Sequence, residues 1–164
     1  MRIGVVLVTI FLLFAGCSQK EQNSVKKRLV VGEQIGKLAL KNQHGNASGV
    51  TNQTKSVIFA FSKDAGHECN DYLATKEPSY LEHNSALFVA DVSSAPYMIR
   101  SMFIVPGLRE FEHNILIIDD KDISNAYKPS KNSEKIVVAK LNRGVISEIV
   151  FVDSTDQLDE VIRL

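Results

Sequence analysis

The 164-residue chain contains no tryptophan and only two cysteines, Cys17 and Cys69. Two cysteines exclude a framework of several disulfides, and their positions leave no Cys-x-x-Cys pair for dithiol chemistry. The 19 basic and 19 acidic residues cancel, so the chain lacks the positive charge of a nucleic-acid-binding protein. Aromatic residues make up 7% of the chain, which also argues against a surface for stacking bases.

The first residues form an apolar run, with Arg2 as the only charged residue before Lys20. Residues 3–14 are almost wholly apolar, and small residues follow them. This pattern is typical of a secretory signal peptide, and it is shorter than the ~20 apolar residues of a transmembrane helix. The sequence FAGC at residues 14–17 resembles the bacterial lipobox, with Phe14 where that motif usually has leucine. An ordinary signal peptide with an incidental cysteine is the alternative.

The lipobox resemblance implies that residues 1–16 are a signal peptide and that Cys17 carries acyl chains such as palmitate. Two or three such chains hold a protein on a membrane without a spanning helix. Ser18 stands where an aspartate tends to retain lipoproteins in the inner membrane, so it favours the outer membrane. Residues 17–28 are polar and predict a tether between the lipid and a domain over residues 29–164, facing the periplasm.

Three runs in that domain have apolar residues on both faces and predict interior strands: residues 57–61, 86–90 and 115–118. Helical patterns between them indicate right-handed parallel crossovers. Residues 38–50 favour an N-terminal hairpin. Residues 135–141 and 145–152, joined around Gly144, predict a C-terminal hairpin, and a last helix begins at Ser154.

Two of the predicted helices follow the first two interior strands. The first runs over residues 65–75, with Asp64 as its N-cap. The second begins at the segment SSAP, residues 93–96, with a serine cap. Its residues Tyr97, Met98, Ile99, Met102 and Phe103 supply an apolar face, and the Pro106-Gly107 pair is expected to end it.

The order of these elements resembles the thioredoxin-like fold in its redoxin form. The G-x-L-x-L-x-x-Q-x-G pattern that begins at Gly36 and the FVAD segment at residues 88–91 add to the resemblance. It implies a three-layer α/β/α domain with a mixed, mostly parallel sheet, an N-terminal hairpin, and a C-terminal antiparallel hairpin plus helix. In thioredoxins a Cys-x-x-Cys motif follows the first interior strand. Residues 63–66 occupy that place and contain no cysteine.

Cys69 is the one thiol left if Cys17 is acylated, and its spacing from Ala65, Tyr72 and Leu73 places it on a buried helix stripe. The alternative is a reactive thiol. His67 and Cys69 are weak candidates for a soft-metal site completed by His83 or His113, although two ligands two residues apart diverge on a helix. The carboxylates of Asp119, Asp120 and Asp122 could bind a divalent cation, but acids at the end of a strand are more commonly helix caps or solubilise a loop. The sequence predicts no cofactor.

The leading hypothesis is a lipid-anchored envelope protein with a non-catalytic thioredoxin-like domain in a binding or structural role. Its expected contacts are the membrane and a partner protein of the envelope, and no nucleic acid. The alternative is a thiol-dependent oxidoreductase or peroxidase that acts through Cys69.

Overall fold

A computed structural model describes residues 26–163 of the chain. The predicted signal peptide, residues 1–16, the predicted acylation site Cys17 and most of the predicted tether lie outside the described residues. Between Lys26 and Arg163, no helix has both the length and the apolar content to cross a bilayer.

Thirteen strands and α-helices follow one another in the described part, with one π-helical segment among them. The strands are β1 Leu40–Asn42, β2 Ala47–Ser48, β3 Ser56–Ala60, β4 Ala86–Asp91, β5 Ile115–Ile118, β6 Ile136–Asn142 and β7 Val145–Val152. The helices are α1 Lys63–Ala74, α2 Tyr80–His83, α3 Tyr97–Ile99, the π-helix Arg100–Ile104, α4 Val105–Leu108, α5 Lys121–Tyr127 and α6 Thr155–Arg163.

The strands form one sheet in the order β2-β1-β5-β4-β3-β6-β7. β3, β4 and β5 are parallel neighbours at its centre. The four other pairs of described strands are antiparallel. The sheet is therefore mixed, as predicted, but the prediction that it is mostly parallel is wrong. Each of the two hairpins adds antiparallel pairs on one side of a three-stranded parallel centre.

Both faces of the sheet are covered, which gives the predicted three layers. Alternate residues of each strand point to opposite faces. Ile58 and Phe88 lie on the face that α1, α2 and α6 cover. Phe59 and Leu116 lie on the other face, which α5 and the segment around Ile35 cover. This two-sided burial explains why the interior strands are apolar throughout.

The pattern that begins at Gly36 contains Gln43, whose side chain joins β1 to the start of β5. Gln43 is almost fully buried, and its amide donates to the carbonyl of His113 at 2.8 Å. Its Oε1 accepts from the backbone N–H of Ile115 at 2.9 Å. Gly45 has a φ of +87° in the turn between β1 and β2, a conformation that favours glycine. One buried side chain thus joins β1 to the start of β5.

Helix α1 begins earlier than predicted, and Asp64 is not its N-cap. Ser62 has extended backbone angles, and its Oγ accepts from the N–H of Ala65 at 3.2 Å. Strand β3 ends at Ala60, so the first polar side chain that can accept this bond is Ser62. Asp64 lies within the first turn of the helix, where its negative charge interacts favourably with the helix dipole.

The helix after β4 also differs from the prediction. Pro96 is its N-cap residue, without a side-chain cap, so the predicted serine cap is wrong. The helical backbone continues from Tyr97 to Leu108 through the π-helical segment, and Pro106 does not end it. The N–H of Val105 bonds to the carbonyl of Arg100, five residues back, which widens the turn before the proline. We call residues 97–108 the apolar helix.

Candidate functional site

The carboxyl ends of β3, β4 and β5 meet at one edge of the sheet, where helix α1 begins. Ser62 holds the start of α1 in two ways. Its Oγ caps the helix, and its hydroxyl donates to the carbonyl of Glu134, just before β6, at 2.9 Å. Lys63 and Asp64 follow, both exposed. The first turn of α1 is therefore fixed to the loop before β6 by a serine.

Cys69 lies deeper, in the second half of α1, with no exposed surface. With Ala65 and Leu73 it forms the buried stripe of the helix, packed in the same cluster as Ile58 and Phe88. The predicted burial is confirmed. Burial raises the pKa of the thiol far above its ordinary value, and the charge of Glu68 raises it further. Nucleophilic cysteines combine access with a lowered pKa, and Cys69 has neither.

The structure does not bring the metal candidates together. His67 is exposed on α1, whereas Cys69 points into the core. His113 is buried elsewhere and its Nε2 lies 2.9 Å from Oδ1 of Asn70. His83 lies at the end of α2, near Ser79. Across residues 26–163, no group of three His, Cys, Asp or Glu side chains is placed to hold a metal ion.

The acids after β5 have a structural use. Oδ1 of Asp120 accepts from the N–H groups of Asp122 and Ile123 at 2.8 and 2.9 Å, so Asp120 is the N-cap of α5. This part of the helix-capping prediction is confirmed. Asp91, at the end of β4, accepts from the N–H of Ser93 and from the hydroxyl of Ser124 at 2.6 Å. Both carboxylates are engaged by neighbouring donors and order the loops at this edge.

A tyrosine–carboxylate cluster joins three helices and was missed by sequence reasoning. Oδ1 of Asp159 accepts from the hydroxyls of Tyr72 and Tyr80, and Lys76 lies 3.2 Å from the same atom. Arg163 is 3.0 Å from the other oxygen. The hydrogen bond from Tyr72 is the main reason that the pKa of Asp159 falls to about 2. No sequence signal pairs Tyr72 with a residue 87 positions away.

The apolar helix was predicted to have an apolar face, and the large side chains of that face are exposed. The exposed fractions are 75% for Tyr97, 67% for Met98, 44% for Ile99, 60% for Met102 and 65% for Phe103. The other large apolar side chains exposed among the described residues are Val30 and Val31. Exposed apolar surface is thus concentrated on one element. The sequence signal was the apolar run at residues 97–108, because a helix with Arg100 as its only charged residue fits poorly on the surface of a free domain.

Solved structures resemble this arrangement over most of its length. A putative protein disulfide isomerase from Bacteroides thetaiotaomicron aligns with a TM-score of 0.53 and 9% identity, covering 85% of this chain and 90% of its own. A peroxiredoxin-like protein from Aquifex aeolicus aligns at 0.51 and 12% identity, covering 84% and 86%. The fold is thioredoxin-like. A mitochondrial 2-Cys peroxiredoxin from Plasmodium falciparum aligns at 0.50 and 15% identity, covering 82% and 90%.

Neither a protein-family model nor a curated protein matches the sequence. At identities of 9–15% the likeness establishes the fold alone. The expected thioredoxin-like architecture is therefore confirmed. At the place where the resemblance expects a dithiol, this domain has the first turn of α1, with Lys63 and Asp64 on its surface and Ala65 buried.

Proposed function

We propose that this protein is a lipid-anchored component of the bacterial cell envelope whose thioredoxin-like domain binds a partner and does not catalyse a thiol reaction. Cys17 carries the acyl chains in this proposal, and the residues after it link the lipid to the domain. The domain faces the periplasm, and Ser18 favours the outer membrane. The partner is another protein of the envelope.

The burial of Cys69 is the observation that carries the non-catalytic part of the proposal. A peroxide or disulfide substrate must reach a sulfur atom, and Cys69 has no exposed surface. The thiolate is also the reactive form, and burial among apolar side chains disfavours it. Exposing the sulfur would require α1 to leave the sheet, which would uncover the core residues around it.

The anchoring part of the proposal joins the lipid to the domain through the residues at the start of the described chain. Lys27 donates through its ammonium to the carbonyls of Asn125 and Lys128 at 2.8 and 2.9 Å. The N–H of Arg28 donates to the carbonyl of Ala126 at 2.8 Å. Lys27 and Arg28, the last residues of the proposed tether, therefore contact the end of α5.

The rate at which Cys69 is alkylated tests the non-catalytic part. In the processed protein with Cys17 acylated, we expect alkylation to be about a thousandfold slower in the folded state than in urea, because access requires unfolding. The matched control is Ala74→Cys in a Cys69→Ala background. Ala74 is exposed on the same helix, so its replacement should react at the full rate in the folded protein.

Two results would contradict the proposal. Fast alkylation of folded Cys69 with an apparent pKa below about 8.5 would identify an activated thiol. Saturable peroxide consumption that disappears in Cys69→Ser would then support the oxidoreductase or peroxidase alternative.

For the anchor, the mass of the N-terminal peptide from the membrane fraction should correspond to acylated Cys17, and Cys17→Ala should release the protein from the membrane.

A further inference from the structure

The apolar helix is apolar around nearly all of its circumference. Successive residues of a helix point about 100° apart, so Tyr97, Met98 and Ile99 already face three directions. Met102 and Phe103 repeat two of these directions one turn later. Helices with this character are normally buried inside a protein or in a membrane. Here more than half of the surface of four of these side chains is open.

The apolar helix and its immediate flanks carry positive charge, with Asp91 and Glu110 at the two ends of this segment. Residues 92–109 contain two arginines and no aspartate or glutamate. Arg100 donates to the carbonyl of Asp119, and Nε of Arg109 donates to the carbonyl of Gln43 at 2.9 Å. Both arginines and Lys41 line one groove beside the helix, together with a single carboxylate, that of Asp119. Apolar side chains beside a cationic groove match the chemistry of an anionic lipid surface.

The first described residues lie near the apolar helix. Arg28 is bonded at the last turn of α5, and Arg100 is bonded just before the first turn of α5. Helix α5 has seven residues, which makes it about 10 Å long. The nine residues from Cys17 to Val25 can span at most about 30 Å. An acylated Cys17 and the apolar helix can therefore reach the same membrane plane.

From these three observations we propose that the apolar helix docks the domain onto the anionic lipid surface to which the chain is anchored. The side chains of Met98, Met102 and Phe103 enter the headgroup region, and Arg100 and Arg109 face lipid phosphates. The proposal rests on the lipid anchor of the proposed function. It deepens that function by giving the domain a fixed orientation on the membrane.

A fluorescent label tests the docking directly. Met102→Cys is labelled with an environment-sensitive fluorophore, and the exposed Glu148→Cys on β7 is the matched position away from the helix. Buried Cys69 does not compete for the label. The processed protein is mixed with vesicles of phosphatidylethanolamine and phosphatidylglycerol. We expect a blue shift of the label at 102, quenching by brominated acyl chains, and neither effect at 148.

Substitutions separate the apolar and charged parts. With the label on Met98→Cys, the change Phe103→Glu should abolish the shift, whereas Val31→Glu, at an exposed valine off the helix, should preserve it. Arg100→Gln with Arg109→Gln should weaken the shift. Neutral phosphatidylcholine vesicles should give a smaller shift than anionic ones.

Three outcomes would overturn the docking proposal. One is a label at 102 that remains in water on every vesicle, which would direct the search to a protein partner for this helix. The second is a blue shift without vesicles that grows with protein concentration, which would mean that a second copy covers the helix. The third is an equal shift on neutral and anionic vesicles. The mass of the N-terminal peptide reports the anchor separately, so an unacylated Cys17 would refute the proposed function while the label still decides the docking.

Discussion

His113 should make the protein lose stability in mild acid. Its ring is buried, with 4% of its surface exposed, between Phe88 and Phe111, and Nε2 bonds to Asn70. Burial lowers the pKa of His113 from 6.5 to about 4, because the apolar surroundings disfavour the charged ring. The folded protein therefore keeps His113 neutral at pH values where the unfolded chain protonates it.

These two pKa values give the direction and the magnitude of the change in unfolding free energy with pH. Above about pH 6.5 His113 is neutral in both states, and the folded protein has its full stability. As the pH falls toward 4, the unfolded chain binds a proton at His113 that the folded protein does not bind, so the free energy of unfolding decreases. At about pH 5 the loss from His113 alone is about 2 kcal/mol, and it approaches about 3 kcal/mol near pH 4. Other titrating groups change the total, so the comparison must isolate this histidine.

Urea unfolding at several pH values, for the wild type and for His113→Gln, provides that comparison. Glutamine can still donate to Asn70 but does not titrate. The difference in unfolding free energy between the two proteins should change by about 2 kcal/mol between pH 7 and pH 5. His83→Gln, at an exposed histidine, is the control and should follow the wild type. Parallel curves for wild type and His113→Gln would refute the reasoning.

Two more predictions concern buried polar groups. Gln43→Leu should cost about 2 kcal/mol or more, because it leaves the carbonyl of His113 and the N–H of Ile115 without their buried partner. The same change at exposed Gln53 should cost little in urea unfolding, and equal costs would contradict this role. Ser56→Ala should be neutral or slightly stabilising in thermal unfolding, since its fully buried Oγ has no hydrogen-bond partner among residues 26–163. A loss above about 1 kcal/mol would indicate an ordered partner at this hydroxyl.

The interior of the fold was predictable because its signals are local. β3 and β5 are apolar on both faces, which leaves a buried sheet as their consistent structure. The last hairpin could be predicted from Gly144, which favours a tight turn. Both Arg143 and Gly144 adopt positive φ in that turn. The start of α1 was misplaced because Ser62 and Asp64 are both good caps, and the end of β3 decides between them.

The candidate sites depended on information that a single sequence does not contain. The exposure of the apolar helix depends on how elements distant in sequence pack, and that packing leaves Met102 60% and Phe103 65% exposed. The cluster around Asp159 forms when α1 and α6 meet on the same face of the sheet. The burial of Cys69 could be predicted from the sequence, because its helical spacing from Ala65 and Leu73 places it on the buried stripe of α1.

The distribution of the four tyrosines gives the unmodified protein an optical reporter. Without tryptophan, its ultraviolet emission comes from tyrosine. Tyr127 is buried, and Tyr72 and Tyr80 are enclosed around Asp159. Tyr97 is 75% exposed at the start of the apolar helix. A water-soluble quencher such as iodide therefore reaches mainly Tyr97, and the loss of that quenching would report the covering of this helix in a protein that carries no label.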